Sequence, residues 1–213
     1  MNGTMKTLKP FYKRRLPHYQ PLGAILFVTF RLVNTIPKEE IAALMQEREI
    51  NRKPILHEHD DKKRSILIYD ESKRYFGHFD SYLDQAKDNV SWLTIPSVAK
   101  IVYDAILFYD QKEYDVVAFC LMPNHVHLLA DMRRKNIPLH SILQRVKSYS
   151  AVKANPILKR NGSFWHRENY DHIVRDAEEL NRIIKYILNN PVKARLCQCW
   201  ENWRWTYLNK DYL

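Results

Sequence analysis

The sequence predicts an α+β fold in which helices pack on an antiparallel sheet. Short runs rich in β-branched and aromatic residues recur along the chain, and two of them, at 114–121 and 125–130, are separated by a Pro-Asn turn. Strands joined by so tight a connection pair antiparallel. Segments with apolar residues at helical spacing lie between the other runs, and such helices bury their apolar face against a sheet.

The first strand is predicted at 24–32, where β-branched and aromatic residues form a continuous run. A helix is predicted from Pro37 to about Glu49, because proline is well tolerated in the first turn. Residues 51–91 are heavily charged and contain only short apolar pieces, so they are interpreted as an insertion without assigned elements. Helical spacing of apolar residues resumes at Pro96.

The C-terminal half continues with an amphipathic helix over 139–150, an extended segment at 163–174 and a helix over 177–190. Asp176, followed by a glutamate three residues later, is typical of a capping box at a helix start. Pro191 is expected to end that helix, because proline cannot donate the next backbone hydrogen bond.

The 213 residues are long enough to bury a core, and we expect a single domain over 1–213. Its elaborations are a basic N-terminal arm at 1–22, the charged insertion at about 51–91 and a tail at about 196–213. The aromatic residues of the tail are expected to pack on the fold, with stacking on nucleobases as the alternative. Three cysteines form no disulfide framework, which suits a reducing compartment. No apolar run approaches the roughly 20 residues that cross a bilayer, so we expect a cytoplasmic protein.

Two histidines stand two residues apart in the segment Met122-Pro123-Asn124-His125-Val126-His127. Side chains of a strand alternate between its faces, so His125 and His127 project to the same side. Two neutral imidazoles on one face supply half of a metal site. A hydrogen-bonded histidine pair at the start of a strand is the alternative that this spacing alone leaves open.

The last long helix carries a tyrosine outside its buried stripe. At about 100° per residue, Tyr186 lies more than about 100° from the centre of the apolar stripe. Asn190 follows one turn later on the same flank, where residues four apart can address one target together. A phenol and a carboxamide therefore share a helix face that the core does not need.

These groups suggest one reaction. A phenol with its ordinary pKa of about 10 is a poor nucleophile, so a catalytic tyrosine needs an electrophile that is already polarised and positioned. A divalent cation held by two imidazoles can polarise a scissile phosphate in this way. Attack by Tyr186 would leave a 5′-phosphotyrosine and a free 3′-OH, and the covalent link would retain the energy needed to rejoin the strand.

The charge pattern indicates a nucleic acid partner. The formal net charge is +10, no acidic residue precedes Glu39, and a second acid-free window lies between Asp131 and Glu168. Acid-free basic windows on both sides of the paired histidines predict a surface that follows phosphates. The basic residues predicted to contact DNA are Arg14, Arg15, Arg145, Lys147, Lys153 and Arg167. His172 and Arg175 are also predicted to line the DNA groove, with a hydrogen bond of His172 within the fold as the alternative.

At these motifs the chain resembles the HUH single-strand transposases of the IS200/IS605 type, and specifically the REP-associated tyrosine transposases. The resemblance spans about residues 14 to 208 and is specific in its ordered combination. The segments that carry it are Arg15-Leu16-Pro17-His18-Tyr19-Gln20-Pro21, Tyr75-Phe76-Gly77, Met122 to Leu129, Phe164-Trp165-His166, Tyr170 to Asp176 and Tyr186-Ile187-x-x-Asn190-Pro191-Val192.

The resemblance implies a ferredoxin-like or RRM-like core, a metal on His125 and His127, and Tyr186 as nucleophile. Asn190 stands where related enzymes often carry glutamine as a third ligand, and its side chain is one methylene shorter. The implied cofactor is Mg²⁺ or Mn²⁺, and the implied substrate is single-stranded DNA with a foldback hairpin. Related small transposases form dimers with shared active sites; the sequence leaves both a homodimer and a monomer open.

Two other functions compete with this interpretation. A non-catalytic DNA- or RNA-hairpin-binding module would also carry basic grooves and exposed aromatic residues, but it does not predict paired imidazoles facing a tyrosine. A metal-dependent endonuclease that activates water would not need Tyr186. The ligand-rich segment His57-Glu58-His59-Asp60-Asp61 lacks strand alternation and is interpreted as a solvated loop.

Overall fold

The structure, a computed structural model, describes residues 11–13, 17–85 and 90–212. The chain divides into two compact units, one comprising 1–33 with 91–213 and the other comprising 34–90. In chain order the elements are β1 (Phe11–Lys13), β2 (Pro17–Tyr19), β3 (Ile25–Leu32), α1 (Lys38–Leu56), α2 (Asp61–Gln85), α3 (Pro96–Leu107), β4 (Asp115–Leu121), β5 (His125–Asp131), α4 (Leu139–Ile157), β6 (Trp165–Ile173), α5 (Ala177–Lys193) and β7 (Thr206–Leu208). None of the described helices is both long and apolar enough to span a membrane.

The first unit is built on a five-stranded antiparallel sheet with the order β6-β3-β5-β4-β7. The chain passes through β3, α3, β4, β5, α4 and β6 in turn, which is the β-α-β-β-α-β order of a ferredoxin-like fold. The second unit is inserted between β3 and α3, and α5 with β7 follows the core. The predicted α+β class and the predicted antiparallel hairpin of β4 and β5 are confirmed.

Helices α3 and α4 cover one face of the sheet. Tyr103 on α3 packs edge-on against Phe119 of β4 with ring centroids 5.0 Å apart. On the α4 side, the ring of Phe30 in β3 meets that of Trp165 at 4.9 Å, and the indole Nε1 of Trp165 donates to Ser150 on α4 at 2.8 Å. This face holds most of the apolar core.

Helix α5 lies on the opposite face of the sheet. The ring centroid of its Tyr186 lies 5.9 Å from that of Phe27 in β3. Because side chains alternate along a strand, Phe27 points to the face opposite Val28 and Phe30. The two faces are therefore assigned to different helices, with α3 and α4 on one and α5 on the other.

The second unit consists of α1 and α2 packed on each other. The guanidinium of Arg48 lies 4.3 Å from the ring centroid of Tyr75, and its Nε lies 3.6 Å from the carboxylate of Glu71. The prediction that α1 ends near Glu49 was wrong: the helix continues to Leu56 with Pro54 inside it. Packing on α2 outweighs the local signals here, since Arg52 of the added turns pairs with Glu71 at 3.9 Å. The charged segment 51–91 is thus largely helical.

Pro191 does not end α5, contrary to the sequence prediction. The helix continues to Lys193 with the proline inside it. The missing N–H of Pro191 removes one helical bond, but the following turn is closed by the Ala194 N–H donating to Asn190 O at 2.9 Å and the Leu196 N–H donating to Pro191 O at 2.8 Å. These bonds keep the last turn in place.

The tail packs on the sheet, as predicted. β7 pairs antiparallel with β4, and Trp205 is buried. The indole Nε1 of Trp203 donates to Leu121 O at 2.9 Å. The tail therefore extends the sheet at its β4 edge.

We expect Asp176→Ala to lower the free energy of unfolding by about 1 kcal/mol, the usual cost of losing an N-cap. The Asp176 carboxylate accepts from the Glu179 N–H at 2.7 Å at the start of α5. Chemical denaturation would measure the loss. Glu178→Ala in the same turn is the matched control, because that side chain is exposed and pairs with the exposed Arg182; equal losses in the two variants would contradict the assignment of the cap.

Candidate active site

The strand register sets the two histidines on the face covered by α5. His127 in β5 lies directly opposite Thr29 of β3, and His125 lies opposite Arg31. Both imidazoles are almost completely buried, with exposed fractions of 1% for His125 and 0% for His127. The predicted same-face arrangement of the pair is therefore present in the structure.

The two imidazoles converge on one point. The Nε2 atoms of His125 and His127 are 2.9 Å apart, whereas their Nδ1 atoms face outward to different partners. The Nδ1 of His125 lies 2.6 Å from Asn124 Oδ1, and the Nδ1 of His127 lies 2.8 Å from Thr29 Oγ1. Each ring is thus oriented through one nitrogen and presents the other to its neighbour.

These partners define the protonation of the rings. A carboxamide oxygen only accepts, so the Nδ1–H of His125 donates to Asn124 and a neutral ring carries its lone pair on Nε2. The hydroxyl of Thr29 can donate or accept. When Thr29 donates, His127 carries its hydrogen on Nε2 and donates to His125; when Thr29 accepts from Nδ1–H of His127, both Nε2 lone pairs face the same point. The second arrangement is the one that binds a cation.

Burial keeps His127 in its neutral form. Removal from water, together with the positive charge of Lys193, lowers the pKa of His127 to about 3. A neutral imidazole is the form that ligates a metal. The ring is therefore ready to act as a ligand at neutral pH without first losing a proton.

Tyr186 lies against this pair. Its ring centroid is 5.3 Å from that of His127, with the ring planes at 70°. Phe27 supports the tyrosine ring from the sheet at a centroid distance of 5.9 Å. The side chain is half-buried, so part of it is accessible from solvent while the ring rests on the buried imidazole.

Asn190 offers an additional oxygen on the same helix. It is 1% exposed, its Nδ2 donates to Tyr186 O at 3.4 Å, and its Oδ1 is buried without a hydrogen-bond partner among the described residues. Buried polar atoms are normally satisfied, and an orphan oxygen calls for an explanation. Coordination of a cation by Asn190 Oδ1 would supply the missing partner.

The donor set fits a divalent cation. Two imidazole nitrogens and an amide oxygen, completed by phosphate or water oxygens, are ligands that a divalent cation accepts. The orphan oxygen of Asn190 and the facing Nε2 atoms of the histidines are the observations that support the fit. Lys193, exposed in the last turn of α5, adds a positive charge near the site.

The residues predicted to contact DNA are not gathered at one place. Arg14 and Arg15 lie outside the described residues. Lys153 is exposed on α4, on the face of the sheet opposite the histidines, and Arg167 is exposed on β6. Their role as DNA contacts stays a prediction.

Two of the predicted DNA contacts bind other parts of the protein. Arg145 forms a bidentate pair with Glu113 and lies 4.5 Å from the ring centroid of Tyr109. Lys147 donates to the side chain of Asn169 and to a backbone carbonyl of β6. Both side chains therefore hold α4 to its surroundings, whether or not they also meet phosphates.

His172 and Arg175 share one acidic partner. The buried Glu179 of α5 lies 3.0 Å from His172 Nε2 through Oε1 and accepts the backbone N–H of Arg175 through Oε2 at 2.9 Å. Glu179 is 4% exposed. The sequence predicted this glutamate only as part of a helix cap, but it also ties the start of α5 to β6.

Sequence reasoning missed the two side chains that orient the histidines. Thr29 is the one hydroxyl in the otherwise apolar run 25–30, and Asn124 immediately precedes the first histidine. A lone polar residue in a fully buried strand is a signal that could have identified Thr29, because buried hydroxyls require partners. Lys193 was missed because its distance from the pair depends on how α5 packs.

Residues 97–190 of the chain match the family model described as IS200-like transposase. The matched stretch begins in α3 and ends in α5, so it includes His125, His127, Tyr186 and Asn190. The solved structure of a REP-associated tyrosine transposase bound to a REP hairpin is similar over 92% of this chain and 80% of that chain, with a TM-score of 0.52 and 14% identity. At this identity the similarity concerns the fold.

Two curated proteins of Haemophilus influenzae are similar in sequence. One, provisionally named a REP-associated tyrosine transposase, is 24% identical over 111 residues, which cover 48% of this chain and 63% of that protein. The other, described as uncharacterized, is 29% identical over 106 residues, covering 40% of this chain and 58% of that protein. The matched region thus spans less than two thirds of either relative.

We expect Thr29→Val to weaken Mn²⁺ binding by about 10- to 100-fold, the usual effect of removing the partner that orients a ligating histidine. Valine has a similar shape but cannot accept the Nδ1–H of His127. Titration with Mn²⁺, followed calorimetrically, would measure the change. Thr29→Ser, which keeps the hydroxyl, is the control; Mn²⁺ affinity unchanged in the valine variant would refute the role assigned to this hydrogen bond.

Proposed function

We propose that the protein nicks and rejoins single-stranded DNA at hairpin sequences, because residues 97–190 match the model of IS200-like transposases and part of the chain is similar to a REP-associated tyrosine transposase. Tyr186 is the proposed nucleophile. The observation that carries the proposal is the edge-on packing of the Tyr186 ring on His127, one of two imidazoles whose Nε2 atoms meet at 2.9 Å. A nucleophile and a cation site are adjacent in this arrangement.

The proposed step is a transesterification. The Tyr186 phenolic oxygen forms a bond to the phosphorus of the scissile phosphodiester, and the bond from phosphorus to the 3′ oxygen breaks. The phenol releases its proton, and the leaving oxygen takes one up as a 3′-OH. The downstream DNA remains attached through a 5′-phosphotyrosine, so reversal by another 3′-OH rejoins a strand without an external energy source.

The protein residues orient the reacting groups. Asn124 and Thr29 orient the imidazoles of His125 and His127, and Phe27 supports the ring of Tyr186. A Mg²⁺ or Mn²⁺ held by His125, His127 and Asn190 would supply charge stabilisation at the phosphate oxygens. Holding a nucleophile and an electrophile at fixed positions accounts for a large part of enzymatic acceleration. The protein side chains lose their conformational freedom on folding and the DNA loses its translational freedom on binding, both before the chemical step.

The proposed substrate is DNA with a hairpin. The net charge of +10 favours a polyanion, and a structurally similar transposase was solved with a REP hairpin. Histidines and tyrosine of one chain already lie together, so the proposed site is complete within a single copy. A dimer with shared active sites is therefore not required for the reaction, and we propose that a monomer suffices.

Two alternative functions differ from the proposed one in that neither requires Tyr186 as a nucleophile. A hairpin-binding module without catalysis would not need buried imidazoles with converging nitrogens, since base stacking and phosphate contacts suffice for binding. An endonuclease that activates water would leave Tyr186 dispensable. The contact between Tyr186 and His127 favours the tyrosine mechanism over both.

We expect Tyr186→Phe to abolish a covalent protein–DNA adduct while changing hairpin affinity by less than about tenfold, since only one oxygen is lost. The wild-type protein, incubated with Mn²⁺ and a hairpin oligonucleotide labelled at its 5′ or 3′ end, should form a denaturation-resistant adduct with the 3′ fragment only. Electrophoresis under denaturing conditions separates the products.

Tyr207→Phe is the matched control for this assay, because it also removes one phenolic oxygen and lies on the other face of the sheet, stacked on Phe119. Free fragments without an adduct would favour hydrolysis by water. Binding without cleavage would favour the non-catalytic module, and equal loss of binding and adduct in Tyr186→Phe would indicate a structural role.

We expect Asn190→Leu to leave the metal-free protein as stable as wild type or more stable, because it removes an unsatisfied buried oxygen that costs about 1–3 kcal/mol. Mn²⁺ at a hundredfold excess over Kd should stabilise the wild type by about 2.7 kcal/mol and raise its Tm accordingly. The same variant should lose most of this rise in Tm. Asn189→Leu, at the exposed neighbouring position, controls for helix propensity. A full Mn²⁺-dependent rise in Asn190→Leu would remove this residue from the ligand set.

A further inference from the structure

A groove between α3 and α4 lies on the face of the sheet opposite Tyr186 and has no role in the proposed cleavage. Its volume is about 210 Å³, and the residues that line it are Asp104, Ala105, Phe108, Tyr109, Val146 and Tyr149. Sites for drug-sized ligands measure roughly 300–1,000 Å³. The groove is therefore suited to a single ring system rather than to a whole nucleotide or a peptide.

Two aromatic side chains of this groove are exposed. Phe108 is 62% exposed and Tyr149 is 52% exposed. Large aromatic rings are normally covered in a folded chain, and an exposed pair beside a cavity marks a binding surface. Every nucleobase has a π-face, so exposed rings can stack on a base without regard to sequence.

Cations surround these rings. The Nζ of Lys112 lies 4.6 Å from the ring centroid of Phe108, and the Nζ of Lys153 lies 6.0 Å from that of Tyr149. Among the ion pairs of the described residues, neither lysine has a carboxylate partner. Helix α4 itself contains no acidic residue. The rim of an apolar groove is thus positively charged, as a surface that binds a base and its phosphates requires.

One carboxylate distinguishes the groove from a purely apolar surface. Asp104 lines it and is also held by Lys100, whose Nζ donates to both carboxylate oxygens at 3.0 and 2.7 Å. A carboxylate fixed at the edge of a ring-sized groove can accept from the ring N–H or amino group of a base. An aliphatic side chain of another protein offers no hydrogen-bond donor to this carboxylate.

We propose that the groove binds one unpaired nucleobase of single-stranded DNA, stacked on Tyr149 and Phe108, with the adjoining phosphates beside Lys153 and Lys112. The choice of DNA rests on the proposed function. The binding itself does not involve the histidine pair or Tyr186, because they lie on the other face of the sheet. The groove would hold the substrate strand at a point remote from the scissile phosphate.

Photocrosslinking tests the stacking directly. The full-length Tyr186→Phe protein, without divalent metal, is irradiated with an oligo-dT strand in which thymine is replaced by 5-iodouracil, and the crosslinked peptides are mapped by mass spectrometry. We expect crosslinks at Tyr149 or Phe108. Crosslinks confined to other parts of the chain would overturn the proposal.

Affinity measurements on variants provide the second test. We expect Tyr149→Ala to weaken binding of oligo-dT by about tenfold, the usual effect of losing one base stack, and Tyr149→Phe to bind like wild type. Val152→Ala is the matched control, because Val152 is 70% exposed on the same helix and does not line the groove. Lys153→Gln should reduce the slope of log affinity against log salt by about 0.7.

The outcomes separate this proposal from the proposed cleavage. Because the tests use a metal-free protein without the nucleophile, failure to form a covalent adduct leaves them unaffected, and failure of the groove leaves the adduct assay unaffected. Equal affinities of Tyr149→Ala and Val152→Ala for oligo-dT would overturn the base site. So would sedimentation showing a dimer that Tyr149→Ala dissociates while DNA binding is unchanged, since the groove would then contact a second copy.

Discussion

The register between β3 and β5 is the constraint on which the site depends. It sets Thr29 opposite His127, so the hydroxyl reaches Nδ1 and the ring presents Nε2 to His125. Side chains alternate along a strand, and a slip of one residue would turn both histidines to the other face. The register is fixed from that other face, where Val28, Phe30 and their neighbours are fully buried. Packing of the apolar sheet face against α3 and α4 therefore fixes the positions of the imidazoles on the face covered by α5.

The second requirement is that α5 hold Tyr186 at a fixed position, and contacts on both sides of the tyrosine do so. At the start of the helix, the Asp176 cap and the two oxygens of Glu179 connect it to β6. At its end, backbone bonds around Pro191 close the last turn. A nucleophile displaced by an ångström loses much of its effective concentration, so these contacts are as relevant to the proposed reaction as the phenol itself.

The sequence predicted what local periodicity determines. Strand alternation places His125 and His127 together and Asp176 marks the start of α5, and the structure agrees with both placements. The flank of α5 with Tyr186 and Asn190 was predicted to be outside the core, which was wrong, because Asn190 is 1% exposed and Tyr186 packs on Phe27. The longer α1 and the continuation of α5 past Pro191 were not predicted, because packing and the next turn's hydrogen bonds override local signals. Thr29 was not identified, because its role arises from a partner 98 residues away in the chain.

Charge is distributed so that the cation site remains intact. The basic residues of α4 lie across the sheet from the imidazoles, and a sheet packs at about 10 Å from its neighbouring layer, roughly one Debye length at 0.1 M salt. A cation directly beside His125 and His127 would oppose a divalent ion in so buried a place. Two cations are exceptions: Arg31 is buried opposite His125 in β3, and the charge of Lys193 already contributes to the low pKa of His127. Lys193 is exposed at the end of α5, where a phosphate can approach it. In the proposed function, a scissile phosphate would neutralise Lys193 and thereby reduce its repulsion of the metal, so DNA and metal would each favour the binding of the other.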